Sequence, residues 1–182
     1  SSWNVSNVID MKSMFFRSDF NQDIGGWDVS SVTTMNSMFS GYNGTVHFNQ
    51  DIGDWDVSSV TNMTSMFSYN YTFDQDISSW DISNANIQHM FSVAYWQTTP
   101  GGLSNENACA IHTAFDSNAT WNYDFSGLCD DDADGVTNDD EVEGCTDALS
   151  CNYNELATDD GSCNVPTSCD TCSDDGSVNS NG

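Results

Sequence analysis

The sequence predicts a repeat solenoid built from short strands and short helices, followed by a small, irregular, disulfide-rich module. Three observations carry this: a period of 24 to 28 residues, apolar positions whose spacing changes within each period, and cysteines confined to the C-terminal part of the chain. A fixed period decides architecture before local propensity is consulted.

The period is marked by Trp3, Trp27, Trp55 and Trp80, separated by 24, 28 and 25 residues. Each opens a related stretch: WNVSNVIDMKSMF, WDVSSVTTMNSMF, WDVSSVTNMTSMF and WDISNANIQHMF, the last one residue short. A second element, FNQDIGGW, FNQDIGDW or FDQDISSW, leads into the second, third and fourth tryptophans, and an insertion around GYNGTVH accounts for the longest spacing.

Within one unit, Ile24, Trp27 and Val29 follow an LxxLxL-like spacing that suits a short strand. Val32, Met35, Met38 and Phe39 then fall three or four apart, the spacing of one face of a short helix or 3₁₀ coil. Strand, turn, short helix and return loop make a leucine-rich-repeat-like unit. Such a unit buries its apolar face only by stacking on its neighbours, giving ladders of Trp, Val, Met and Phe. The four units are expected to form a solenoid over residues 1–98. The first lacks an FNQDI element, so further repeats or a neighbouring subunit are expected to cover Trp3.

These stretches resemble the BspA-like leucine-rich repeat surface proteins, whose unit carries the same WDVSxVTxMxxMF and FNQDI signatures; the resemblance covers residues 1–91. It implies a cell-surface setting, adhesion to protein ligands and no enzymatic activity. Fold-level likeness of this kind does not establish function by itself.

Trp, Met and Phe at repeat spacing read as core. The polar column Asn21, Asn49 and Asp74 is placed to satisfy backbone groups between units. Two acidic rows, Asp23, Asp51, Asp76 and Asp28, Asp56, Asp81, stack like charges, which repel unless solvated or bridged; solvation is the simpler reading.

Residues 99–129 read as a C-terminal cap, with a helix around Ala108 to Phe115 and apolar cover from Ile111, Phe115, Trp121 and Phe125. Cys109 and Cys129 flank the segment and are the preferred disulfide, closing a loop worth roughly 3 kcal/mol.

Residues 130–182 read as a cysteine-rich acidic module that binds calcium and continues beyond the segment. Asp130, Asp132, Asp134, Gly135, Val136, Asn138 and Glu141 fit the D-x-D-x-D-G-x5-E pattern. Alternating carboxylates, the Val136 carbonyl, Asn138 and a bidentate Glu141 supply the oxygen-rich shell that a hard cation takes. No EF-hand helices flank the loop, which resembles the calcium repeats of thrombospondin type 3. Residues 144–163 are similar to a GCTDxxACNYNxxAxxDDGSC module of secreted surface proteins. Within it Asn152, Asn154, Asp159 and Asp160 form a weaker candidate site, with turn capping as the competing role. Cys145–Cys163 is the expected bridge; the pairing of Cys151, Cys169 and Cys172 is open, because spacing does not fix connectivity.

Lys12 and Arg17 alone oppose 28 acidic residues, a balance that repels nucleic acid and anionic membranes. Seven cysteines crowded into the C-terminal part indicate an oxidising, extracellular compartment; a zinc site is disfavoured, since only Cys169 and Cys172 form a CxxC. No apolar run reaches the ~20 residues of a membrane span. Sequons occur at Asn4, Asn43, Asn62, Asn70 and Asn118, with Asn43 and Asn70 the best placed, although chance yields about as many. His47, His89 and His112 are scattered, and no nucleophile, base and orienting group fall together. The reading is a non-enzymatic, secreted surface protein: a calcium-stabilised segment that assembles with itself or neighbouring repeats into a fibre or coat, or else an adhesin-type module presenting a face to a protein or glycan.

Overall fold

The computed structural model describes residues 3–42, 46–92, 102–130, 137, 142–145, 147–157, 159–160, 163–165, 171–172 and 178–179. They fall into two compact units, Ser1–Ser126 and Gly127–Gly182.

The first unit stacks four turn-built coils. Asp10, Thr34, Asn62 and Asn86 bridge in parallel, each to the next, and Val46 bridges Asn70. These are single-residue bridges. Among the described residues of the repeats there is neither a strand nor a helix. The expected leucine-rich-repeat-like solenoid of short strands plus short helices is therefore wrong, since that architecture needs a strand in every repeat.

The hydrogen bonding gives the reason. In the stretch expected to be helical, Met38 N–H donates to Met35 O and Ser40 N–H to Ser37 O, closing three-residue turns. The N–H groups of Met35, Ser37, Phe39 and Gly41 instead leave the coil and donate to Asn62, Thr64, Met66 and Ser68 carbonyls of the next unit at 2.8–3.0 Å. An α-helix returns every N–H to its own chain four residues back. Ser37 also sits at φ 55°, as do Ser13, Ser65 and His89 in the same register at 54°, 56° and 59°. A left-handed residue in every coil cannot continue a right-handed helix. The expected strand fails similarly, because turns closed by Trp27 N–H to Ile24 O and Val32 N–H to Val29 O leave no extended run between them.

Stacking buries the apolar positions as anticipated. Phe15, Phe39, Phe67 and Phe91 form one column at 5.6–5.8 Å, and Phe20, Phe48 and Phe73 a second at 6.4 Å. Within a unit the two columns lie face to face at 3.8–3.9 Å. Met35, Met38, Met63, Met66 and Met90 belong to the same core and have no exposed surface. Stacked rings and close-packed methionines together supply the dispersion contacts of a core that lacks regular secondary structure.

Gly25 and Gly53 show how close the coils come. A Cβ on Gly25 would lie 2.7 Å from Asp51 O, and one on Gly53 2.9 Å from Asp76 O, both in the next unit. Ser78 holds the same register in the last unit, where no fifth repeat follows.

Helix α1, Asn105–Phe115, begins at Ser104, whose side chain accepts from Asn107 N–H, and buries Ala108, Ile111 and Phe115. In the second unit, β1 (Glu143–Gly144) pairs in parallel with β2 (Asp159–Asp160), and β3 (Thr171–Cys172) antiparallel with β4 (Val178–Asn179). The expected Cys145–Cys163 disulfide is present, with Cα atoms 5.0 Å apart, and Cys109, Cys129 and Cys151 are also disulfide-bonded. Such bonds are those of a protein that folds under oxidising conditions. Among the described residues no helix is long and apolar enough to cross a membrane.

Candidate functional site

The chemistry of the first unit concentrates at the ends of the stack, because each interior coil sends four N–H groups forward to the next coil and accepts four from the one before, with a single N–H, Thr33 or Thr61, returned backward to a backbone carbonyl. At the last coil the donors still need partners. Side chains of the cap supply them: Ile87 N–H donates to Thr120 Oγ1 at 2.9 Å, His89 N–H to Asn122 Oδ1 at 3.3 Å, and Phe91 N–H to the Tyr123 hydroxyl at 3.0 Å. Asn118 Nδ2 donates to the carbonyls of Ile82 and Ala85. Burial raises the Tyr123 phenol above its ordinary pKa, against the opposing hydrogen bonds from Ser92 and Phe91. Trp121 and Tyr123 then meet Phe91 edge-on at 6.4 and 6.2 Å, ending the face-to-face column.

The polar column runs into the cap as well. Asn21 Oδ1 accepts from Asn49 N–H and Gln50 Nε2, and Asn49 Oδ1 accepts from Asp74 N–H and Gln75 Nε2. Asp74 Oδ1 accepts from Ser104 N–H and Oγ, both at 2.8 Å, and from Asn107 Nδ2 at 2.7 Å. Partial burial pushes the Asp74 carboxyl up, but the three donors outweigh it and hold the group below the usual carboxylate range. The change from Asn to Asp at the last position thus places a full charge where the cap's donors converge.

Both acidic rows are turn caps. Asp28, Asp56 and Asp81 accept from the N–H and hydroxyl of Ser30, Ser58 and Ser83, and Asp23, Asp51 and Asp76 accept from the N–H of Gly25, Gly53 and Ser78. The Ser58, Ser78 and Ser83 bonds lower the carboxyls of Asp56, Asp76 and Asp81. Two open depressions accompany them. One, about 370 Å³, is lined by Asp23, Gly25, Gln50, Asp51 and Asp54. The other, about 670 Å³, lies between the last coil and the cap, with Asp81, Asn84, Asn86 and Ser117 in its wall.

Of the proposed calcium ligands, Asp130 is described and makes an interaction of its own, whereas Asp132, Asp134, Val136, Asn138 and Glu141 lie outside the described residues. In the weaker set, Asn154 Oδ1 caps a turn by accepting from Leu156 N–H, whereas Asn152 Oδ1 accepts from Asn164 N–H twelve residues on and ties two segments together; the side chains of Asp159 and Asp160 lie outside the described residues. Among the described residues no three His, Cys, Asp or Glu side chains group as metal ligands.

The sequons separate by accessibility. Asn4 is exposed, while Asn62 is half-buried within the stack. Asn70 is 3% exposed and donates its amide to Phe48 O, and Asn118 Nδ2 is committed to the cap, so neither amide is offered to solvent. Asn43 lies outside the described residues. His112 accepts from Trp121 Nε1 at 3.1 Å through Nδ1 and faces Asp124 at 3.8 Å through Nε2, a packing role within the cap.

Sequence reading found the apolar cover of the cap but missed Asp74 as its anchor and Thr120, Asn122 and Tyr123 as its acceptors. The signal was the two-residue step from Thr120 to Asn122, which matches the spacing of Ile87 and His89, whose N–H groups they receive.

Over residues 1–102 and 41–126 the chain matches the family described as Mycoplasma protein of unknown function, DUF285, and it belongs to that family. No curated protein and no solved structure matches it.

Proposed function

We propose, from the two ends of the stack and the disulfides, that the chain is a non-enzymatic extracellular structural segment that takes part in a surface coat or fibre. One observation carries the reading: the repeats spend their large side chains and backbone polar groups on contacts with the next repeat, and among the described residues a cap closes the far end of the resulting stack. Identical chains cannot stack cap to open end without displacing Thr120, Asn122 and Tyr123. Assembly therefore runs through the open face or through the C-terminal module. The disulfides favour a secreted setting, and the resemblance to BspA-like surface proteins agrees with it.

Calcium belongs to the same proposal. Asp130, Asp132, Asp134, the Val136 carbonyl, Asn138 and Glu141 are the donor set of a hard cation, which would order an acidic segment that otherwise repels itself. The second reading, an adhesin-type module for a protein or glycan, draws on the depression of about 670 Å³ beside Asp81 and Asn84, whose lining is half polar and half apolar. Electron microscopy with and without chelator separates the two. Calcium-dependent ordered assemblies support the structural role, whereas monodisperse particles that bind a glycan or protein array support adhesion.

A further inference from the structure

We propose that the N-terminal face of the stack is a docking surface for one further segment of the same repeat, running W…MF…FxQDI. Every interior coil accepts four N–H groups from its predecessor, at residues 34, 36, 38 and 40 in the second coil and 62, 64, 66 and 68 in the third. The same register in the first coil is Asp10, Lys12, Met14 and Phe16, and among the described residues no N–H reaches their carbonyls.

A second, independent observation points to the same occupant. Trp55 Nε1 donates to Ile24 O and Trp80 Nε1 to Ile52 O, both at 3.1 Å. Trp27 is only 8% exposed, and its Nε1 is buried without a partner. The register assigns that indole an isoleucine carbonyl from an FxQDI element ahead of Trp3. Apolar surface agrees: Trp3 is 58% and Met14 39% exposed, while their counterparts Trp27, Trp55, Trp80, Met38, Met66 and Met90 are all buried. Charge agrees too, for Lys12 and Arg17, the only Lys and Arg of the chain, lie on this coil, and the repeat they would meet is acidic.

A second copy of this chain does not fit. Two N-terminal faces would present carbonyls to one another, and the donor edge at the far end is consumed by the cap. The occupant is a repeat segment with its N–H edge free. This assignment takes its biological meaning from the assembly reading, but its readout is local, so the microscopy and the following experiment fail separately.

Two extended proteins test it. Residues 73–77 fused ahead of Ser1 supply only the isoleucine carbonyl, and residues 48–77 supply that carbonyl and a full donor edge; each recreates the Ile-Ser-Ser-Trp junction found at Trp80. Both should slow Trp27 indole N–H exchange by about tenfold, as expected for one buried hydrogen bond. The longer extension alone should also protect the added copies of Met63, Ser65, Phe67 and Tyr69 N–H and raise Tm. Unprotected copies of these four amides, or an unchanged Trp27 indole, would overturn the docking assignment. So would sedimentation of the unextended protein as a dimer with its Trp27 indole protected, since the occupant would then be a second copy.

Discussion

Removing Asp74 should release the cap while leaving the inner coils stacked. Its Oδ1 takes three donors from the segment entering α1, Ser104 N–H, Ser104 Oγ and Asn107 Nδ2, all within 2.8 Å. Asp74→Ala deletes three charge-assisted bonds at a half-buried site and should cost about 2–3 kcal/mol of cap stability. Asp74→Asn keeps an acceptor oxygen but loses the charge, so about 1 kcal/mol is expected. Because the folded carboxyl is depressed, the unfolded chain binds more protons in acid. The Asp74 contribution is therefore complete above the unfolded value near 4 and is lost as pH falls through the lower folded value. Native-state hydrogen exchange of Asn105–Phe115 reads the effect, since opening of the cap exposes the α1 amides. In Asp74→Ala these amides should exchange roughly 30- to 150-fold faster at neutral pH, while Phe39 and Met35 change little. In Asp74→Asn the acid-induced acceleration of α1 exchange should be reduced. Unchanged α1 exchange in Asp74→Ala, or an undiminished acid response in Asp74→Asn, would refute Asp74 as the anchor.

Three further outcomes follow from the same contacts. Trp80→Phe removes the donor to Ile52 O and should cost about 1–2 kcal/mol more in urea melts than Trp27→Phe, whose indole N–H has no partner. Gly25→Ala drives a methyl against Asp51 O and should destabilise by about 1–3 kcal/mol, whereas Ser78→Ala in the same register should be near neutral; thermal melts compare them. Glu141→Gln should weaken calcium uptake by the whole chain at least tenfold in calorimetry, and equal uptake would remove Glu141 from the ligand set.

The period and most of the buried set were legible, because stacking demands the same side chain at the same register in each coil. Met35, Met38, Phe39 and their counterparts in the third and fourth coils are core in the structure as in the sequence. The backbone was not legible. Three- and four-residue spacing presents one apolar face whether the chain forms a helix or a run of three-residue turns. What decides between them is where Ser37, Phe39 and Gly41 send their N–H groups, and side-chain pattern does not encode that. The left-handed serines were the available clue, since serine at one fixed register is a weak helix former and tolerates turns. The acidic rows were read as solvated charge, yet each Asp precedes by two the residue whose N–H it caps, in D-V-S and D-I-G, a local turn signal present in the sequence throughout.

Neighbouring coils are joined by alternate backbone N–H groups and are not built from strands and helices. Scalar couplings transmitted through hydrogen bonds identify donor and acceptor directly by NMR. Cross-peaks are expected from Phe39 N to the Met66 carbonyl and from Phe67 N to the Met90 carbonyl. A cross-peak from Phe39 N to the Met35 carbonyl, the four-residue step of a helix, would contradict this joining of the coils.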